Sequence, residues 1–149
     1  MYQTIVVAFD GSDAGADALH QAADLAQATG AQLHLLGVVV SSGGLLLDPA
    51  IVPIEVLEVE RQALLAALLQ VDHALRHRGV VAQTVIRDGD PGREIIAYLE
   101  EVRADLVVIG PGHKGVLARW FEGSVSTDLL DAMPCSVLVA TRAGDWAAA

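Results

Sequence analysis

Short runs of aliphatic residues alternate along the chain with stretches of helical periodicity. Runs rich in β-branched residues predict five strands, at residues 4–9, 32–40, 80–86, 105–109 and 136–140. Between them, apolar residues three or four positions apart predict helices at 14–29, 54–78 and 91–102 and a short one at 124–133. Strands and helices that alternate in this way predict a parallel sheet built from crossover units.

Turn residues mark several of the predicted boundaries. Gly30 and Gly79 follow the first two helices and predict C-caps. Gly89-Asp90-Pro91 predicts a turn, a helix N-cap and a proline at the first helical position. Ser12 and Asp13 are expected to cap the first helix, and residues 41–53 show no clear period and predict a loop.

The first and fourth runs are apolar at nearly every position, as expected for strands covered on both faces. We therefore predict an α/β fold with a single domain, whose open parallel five-stranded sheet carries helices on both faces in a Rossmann-like arrangement. If strand one lies between strands two and four, the strand order reverses there, and a ligand crevice opens at the carboxyl ends of the strands. The loops that begin at Phe9-Asp10, Val38-Val39 and Gly110 would line it.

Composition narrows the class of protein. The 149 residues, of which 53% are hydrophobic and 4% aromatic, suffice for one domain with an aliphatic core. No run approaches the roughly 18 apolar residues of a membrane span, and we see no signal peptide. A net charge of −10 makes nucleic acid an unlikely partner. The single cysteine, Cys135, reads as a small core residue and is consistent with a cytoplasmic location.

The histidines show no metal-ligand spacing. His20, His73 and His77 lie on predicted helices, where solvated positions are expected, and His34 lies within strand two as a satisfied or half-exposed residue.

Residues 110–126 form the most informative segment for function. Gly110, Gly112 and Gly115 permit close backbone approach, and Gly123-Ser124 opens a helix whose free amides could hold an anion. Lys114 and Arg119 could add positive charge. A surface loop followed by an ordinary serine-capped helix explains the same residues, and the pattern alone leaves that alternative open.

The segment resembles the nucleotide loop of the universal stress protein family, whose ATP-binding members carry G-x2-G-x9-G-(S/T). Gly110 falls on the first glycine and Gly123-Ser124 on the closing pair, while His113 replaces the second glycine. The resemblance extends from Thr4 to Thr141, and it predicts a universal stress protein domain over residues 1–142, of the adenine nucleotide alpha-hydrolase-like fold. Residues 143–149 would form a disordered tail.

The resemblance implies a nucleotide site in the predicted crevice. Asp10 would contact the ribose, although a cap role for Asp10 is an alternative, and Ala8 with Val38 would flank the adenine. Phosphates would meet the glycine loop, where the His113 imidazole would contact phosphate at the position of the family's second glycine, and Mg²⁺ would bridge phosphate oxygens. The implied cofactor-binding residues are Ala8, Phe9, Asp10, Val38, Gly110, His113, Gly123, Ser124, Val125 and Ser126.

The expected function is that of an ATP-binding regulatory or signalling module in the stress response, with ADP or AMP as other ligands. We expect a homodimer through the last strand and a protein partner of unknown identity. The alternatives are a nucleotide-free dimeric interaction module of the same fold and a slow ATP hydrolase. No catalytic triad, P-loop or dinucleotide glycine motif is present, so we expect no enzyme and no protein-bound metal.

Overall fold

The computed structural model describes residues 1–11, 13–40, 54–110 and 130–141. Strands and helices alternate as predicted. They are β1 (Thr4–Ala8), α1 (Asp13–Thr29), β2 (Gln32–Val40), α2 (Ile54–His77), β3 (Ala82–Gly89), α3 (Pro91–Glu101), β4 (Leu106–Ile109) and β5 (Ser136–Val139). Leu130 and Asp131 are helical and end the helix predicted at 124–133. The rest of that helix, the Ser12 cap, the loop at 41–53 and the tail at 143–149 lie outside the described residues.

The five strands form one parallel sheet in the order β3-β2-β1-β4-β5. In this order the first strand lies between the second and the fourth, which is the condition on which the predicted crevice depends. Val7 of β1 stands opposite Leu35 of β2 and Val108 of β4, and all three are fully buried. Neighbours on both sides and helices on both faces explain why β1 and β4 are apolar at almost every position.

Side chains alternate between two cores, one on each face of the sheet. Ile5, Leu33 and Leu35 point to the face covered by α1 and α2, where the small residues Ala18 and Ala22 let α1 lie close. On the opposite face Val6 and Leu36 meet α3, which contributes residues such as Ile95, Tyr98 and Leu99. The sheet is thus covered on both faces, as the alternation of strands and helices predicted.

At the start of α3 the N-cap forms as predicted, but the strand before it is longer than predicted. Asp90 has extended backbone angles, and its Oδ2 accepts a hydrogen bond from the Arg93 amide at 3.1 Å. Strand β3, however, runs from Ala82 to Gly89 instead of ending at Ile86. It continues because β2 offers partners as far as Val40, which stands opposite Gly89. The φ of +146° at Gly89 is one that glycine adopts readily.

Asp105 has a role that the strand pattern did not reveal. We predicted it as the first residue of strand four, but β4 begins at Leu106. The Asp105 Oδ2 accepts hydrogen bonds from the Gln3 and Thr4 amides at 2.7 and 2.8 Å, and these bonds hold the pKa of the carboxyl below its usual value. The carboxylate thereby joins the start of β1 to the start of β4.

His34 is buried, with 5% of its surface exposed, so the half-exposed alternative was wrong. Its Nδ1 shares a hydrogen bond of 2.8 Å with the Tyr98 hydroxyl, while Nε2 is buried without a partner among the described residues. Burial lowers the pKa of His34 and raises that of Tyr98. His20, His73 and His77 are exposed, as predicted. Cys135 is half-buried, and burial raises the pKa of its thiol.

Candidate functional site

A cleft of about 360 Å³ opens at the carboxyl ends of β1 and β2. Asp10 and Gly11 border it where the chain leaves β1, and Val38 and Val39 border it near the end of β2. Its other wall is α2, which contributes Glu60, Ala63, Leu64 and Ala67. The cleft therefore borders β1, the strand at which the order reverses, and it brings together two predicted site residues, Asp10 and Val38.

The end of β1 places the predicted residues Ala8 and Phe9 in the two cores. Ala8 packs against the core on the α3 face, and Phe9, only 6% exposed, belongs to the core under α1 and α2. The Phe9 amide donates to the Leu36 carbonyl at 2.9 Å, which extends the β1–β2 ladder by one residue. The first residue whose side chain is exposed at this edge is Asp10.

Gly15 lets the first turn of α1 lie directly on this strand end. A Cβ atom at Gly15 would stand 2.8 Å from Phe9 Cδ2 and 3.3 Å from Asp10 Oδ1. The first distance is shorter than a van der Waals contact, so the helix could keep its place with a larger residue only if Phe9 moved. The missing side chain thus sets the spacing between α1 and the residues that lead into the cleft.

Gly37 has a similar effect on the α2 wall. A Cβ atom there would stand 3.0 Å from Leu64 Cδ2 and 3.0 Å from Leu68 Cδ1. Two leucines of α2 therefore lie over the backbone of β2, one residue before Val38. Because Leu68 is fully buried and Leu64 also borders the cleft, the contact at Gly37 determines how far the cleft wall stands from the sheet.

Two carboxylates, those of Asp10 and Glu60, border the cleft from opposite walls. The next residue on α2, Arg61, forms an ion pair with Asp88 of β3. Among the described residues that line the cleft none is basic. On its described walls the cleft is therefore apolar between two acidic groups.

The phosphate end of the predicted site lies outside the described residues. Gly110 is half-buried and follows Ile109, which stands opposite Ala8, so the glycine begins at the same edge of the sheet as the cleft. His113, Gly123, Ser124, Val125 and Ser126 fall in the segment 111–129, of which nothing is described. Their proposed contacts with phosphate stay a prediction.

The residues of the α2 wall were not among the predicted site residues. Glu60, Ala63, Leu64 and Ala67 follow one another at spacings of three, one and three residues, which places them on one face of a helix. This spacing was visible in the sequence, and Leu64 was part of the predicted apolar face. What the sequence could not supply was that the beginning of this face extends past the end of β2.

Among residues 1–11, 13–40, 54–110 and 130–141, no three His, Cys, Asp or Glu side chains are grouped so as to hold a metal ion. No helix in the described part of the chain is both long enough and apolar enough to cross a membrane.

The sheet and cleft define the class: an open, doubly wound α/β protein with a candidate site at its topological switch point. The sequence model of the universal stress protein family matches residues 1–141. The chain belongs to this family.

Individual relatives agree with this assignment. Universal stress protein YxiE of Bacillus subtilis is 30% identical over 146 residues, covering 93% of this chain and 99% of the relative. Among solved structures, universal stress protein UspA from Lactobacillus plantarum is 29% identical, with a TM-score of 0.76 and coverage of 94% of this chain and 98% of that chain. A universal stress protein solved in complex with cAMP is 25% identical, with a TM-score of 0.69 and coverage of 94% and 97%.

Proposed function

We propose that this protein binds an adenine nucleotide in the cleft between β1, β2 and α2 and acts as a regulatory module. The observation that carries the proposal is the meeting of Asp10 with Val38 and Val39 at the switch point, beside an apolar wall of α2. A cleft of about 360 Å³ falls at the lower end of the range of small-molecule sites, which is roughly 300–1,000 Å³. The similar universal stress protein in complex with cAMP supports an adenine ligand.

The chemistry of the described walls suits the nucleoside part of such a ligand. Ribose hydroxyls can donate hydrogen bonds to the Asp10 carboxylate. The valines of β2, together with Ala63 and Ala67, offer an apolar surface for a base. The phosphates would extend from there towards Gly110 and the segment that begins at Gly123. Because the described residues group no metal ligands, Mg²⁺ would arrive with the phosphates of ATP or ADP and neutralise part of their charge.

In this function the nucleotide acts as a signal. Its binding would favour one arrangement of the residues around the cleft, which a protein partner would recognise. We propose no enzymatic role for the cleft, and any hydrolysis of ATP there would be slow or incidental.

Isothermal titration with ATP, ADP, AMP and cAMP tests the proposal directly. Asp10→Ala should lower the affinity for the tightest-binding of these ligands by about tenfold or more, since a hydrogen bond to a charged group contributes roughly 1.5–3 kcal/mol. Glu55→Gln, an exposed change on the first turn of α2, is the control and should leave affinity unchanged. The absence of saturable binding up to millimolar nucleotide, or full affinity in Asp10→Ala, would contradict the proposal.

A homodimer through β5 is a second proposal with its own observation. Strand β5 is at the edge of the sheet, and Val139 at its end is 40% exposed. An apolar edge of this kind can pair with a second copy. Native mass spectrometry and sedimentation should show a dimer that Val139→Lys weakens, whereas Gln83→Lys on β3, at the opposite edge, should not affect it. If the wild type is still monomeric at about 100 µM, this assembly is refuted.

A further inference from the structure

The acidic side chain on the α2 wall, Glu60, has no part in the function proposed so far. Glu60 begins the helical face that continues with Ala63, Leu64 and Ala67, so it is the charged member of an otherwise apolar wall. It borders the same cleft as Asp10, and it is exposed to solvent.

The neighbouring cation on α2 is committed elsewhere. Arg61 pairs with Asp88 of β3, and no basic residue is among the described residues that line the cleft. The protein as a whole carries a net charge of −10, so its overall field also opposes an anion. A polyanionic ligand therefore approaches the negative charge of Glu60 along the α2 wall.

We propose that Glu60 is a specificity-determining residue that makes the cleft discriminate among adenine ligands by their charge. This inference rests on the proposed adenine-nucleotide function. The Glu60 carboxylate disfavours each added phosphate, so that free ATP loses more affinity than AMP, and neutral adenosine loses none. Mg²⁺ on the triphosphate reduces the net ligand charge and restores part of the affinity of ATP.

The size of the effect follows from the exposure of Glu60. Two unit charges about 10 Å apart in a watery environment interact weakly, and salt screens them over about 10 Å at 0.1 M. AMP and ATP differ by about two charges, so removing the Glu60 charge should change their affinity ratio roughly two- to fivefold at low salt.

The chain offers a matched control two residues away. Glu58 lies on the same helix and is also exposed, but it is not among the residues that line the cleft, and its Oε1 accepts a hydrogen bond from Gln62 at 2.9 Å. Glu58→Gln and Glu60→Gln remove the same charge from different sides of one turn of α2. A difference between them reports the position of Glu60 at the cleft instead of the change in net charge.

The experiment is isothermal titration of both variants and the wild type with adenosine, AMP and ATP, without Mg²⁺, at 20 mM and 500 mM salt. We expect Glu60→Gln to raise the affinity for ATP relative to that for AMP by roughly two- to fivefold at low salt and to leave the affinity for adenosine unchanged. High salt and added Mg²⁺ should both reduce this gain, and Glu58→Gln should show at most a small part of it. Thermal melts establish that both variants are folded.

The outcomes separate the two proposals. If wild-type protein binds none of the three ligands, the proposed function fails and the role of Glu60 fails with it. If they bind but the two variants change the ATP-to-AMP ratio equally, or if neither changes it, the adenine site stands and the role of Glu60 is refuted. An equal gain for adenosine and ATP would also refute it, because such a gain does not depend on ligand charge.

Discussion

The two faces of the sheet are built on different principles. On the face covered by α1 and α2 the described core consists of aliphatic residues with Phe9, and two glycines, Gly15 and Gly37, let helix and strand come into contact. On the face covered by α3 the core formed by the described residues is smaller and includes a buried polar pair, His34 and Tyr98.

The difference separates two kinds of sensitivity. The cleft belongs to the face where helix positions depend on absent side chains, so its width responds to small changes of volume. The opposite face depends partly on the protonation of one imidazole, so its stability responds to pH. A change on one face should therefore be distinguishable from a change on the other, and four predictions test this separation, in order of decreasing effect.

The largest effect is expected from removing a buried leucine on either face. Leu68→Ala on α2 and Leu99→Ala on α3 each truncate a fully buried side chain and should each cost about 2–5 kcal/mol in free energy of unfolding. Urea denaturation measures this loss. At a temperature where both variants are folded, Leu68→Ala should weaken nucleotide binding and Leu99→Ala should not. Equal losses of affinity would show that the two faces are coupled.

The next effect concerns the spacing between α2 and the sheet. Gly37→Ala places a methyl group 3.0 Å from the ends of two leucines, and overpacking of this kind costs about 1–3 kcal/mol. Adding Leu64→Ala makes room for the methyl group and should recover part of both stability and nucleotide affinity. A double-mutant cycle measures the coupling. Purely additive losses would mean that the contact at Gly37 does not set the cleft wall.

On the α3 face the prediction concerns pH. Because burial lowers the pKa of His34 in the folded protein, the unfolded chain binds a proton more readily as the pH falls below about 6.5. Stability should therefore fall on acidification, by up to about 1.4 kcal/mol per pH unit between that value and the folded pKa, and it should be unaffected by His34 above it.

The groups that face His34 are the Tyr98 hydroxyl and, beyond that ring, Arg87, which stacks on Tyr98 at 5.3 Å and pairs with Glu101. Urea denaturation of the wild type and of His34→Gln from pH 5 to 8 isolates the contribution of His34. The variant should show a shallower pH dependence, whereas the exposed His20→Gln should retain the steeper one. Parallel curves for the wild type and His34→Gln would contradict the assignment.

The smallest effect is local to the start of α3. Asp90→Ala removes the side chain that accepts from the Arg93 amide and should cost about 1 kcal/mol. Glu100→Ala, an exposed change on the same helix, should stay within about 0.5 kcal/mol of the wild type. Nucleotide affinity should be unchanged in both, because α3 covers the other face. Equal melting curves for the two variants would show that the Asp90 cap does not contribute to the stability of the protein.

Much of the fold could be predicted because its signals are local. The N-cap at Asp90 depends on residues three apart, and the burial of β1 can be read from an unbroken apolar run. The rules of crossover handedness allowed a doubly wound sheet, but the position of β1 between β2 and β4 entered only as a condition of the predicted crevice. Strand β3 was harder, because its extension to Gly89 depends on partners in β2.

The features that escaped prediction depend on residues far apart in sequence. Asp105 binds amides about a hundred residues away, and nothing beside it in the chain indicates this contact. His34 was recognised as a strand residue, but its partner Tyr98 lies on α3. At the site, Asp10 and Val38 were predicted from the resemblance, whereas Glu60 required the position of α2 over β2. Contacts between elements set these positions, and a single sequence does not record them.

The strand order also determines when the sheet can be completed as the chain leaves the ribosome. The central strand β1 is synthesised first and can pair with β2 early, but its other edge waits for β4, and the Asp105 contact with Thr4 spans 101 residues. Until that point a nascent chain exposes one unpaired edge of a mostly apolar strand, with which other chains can pair. Completion of the sheet therefore waits for the second half of the chain, and truncation before β4 would leave one edge of the central strand unpaired.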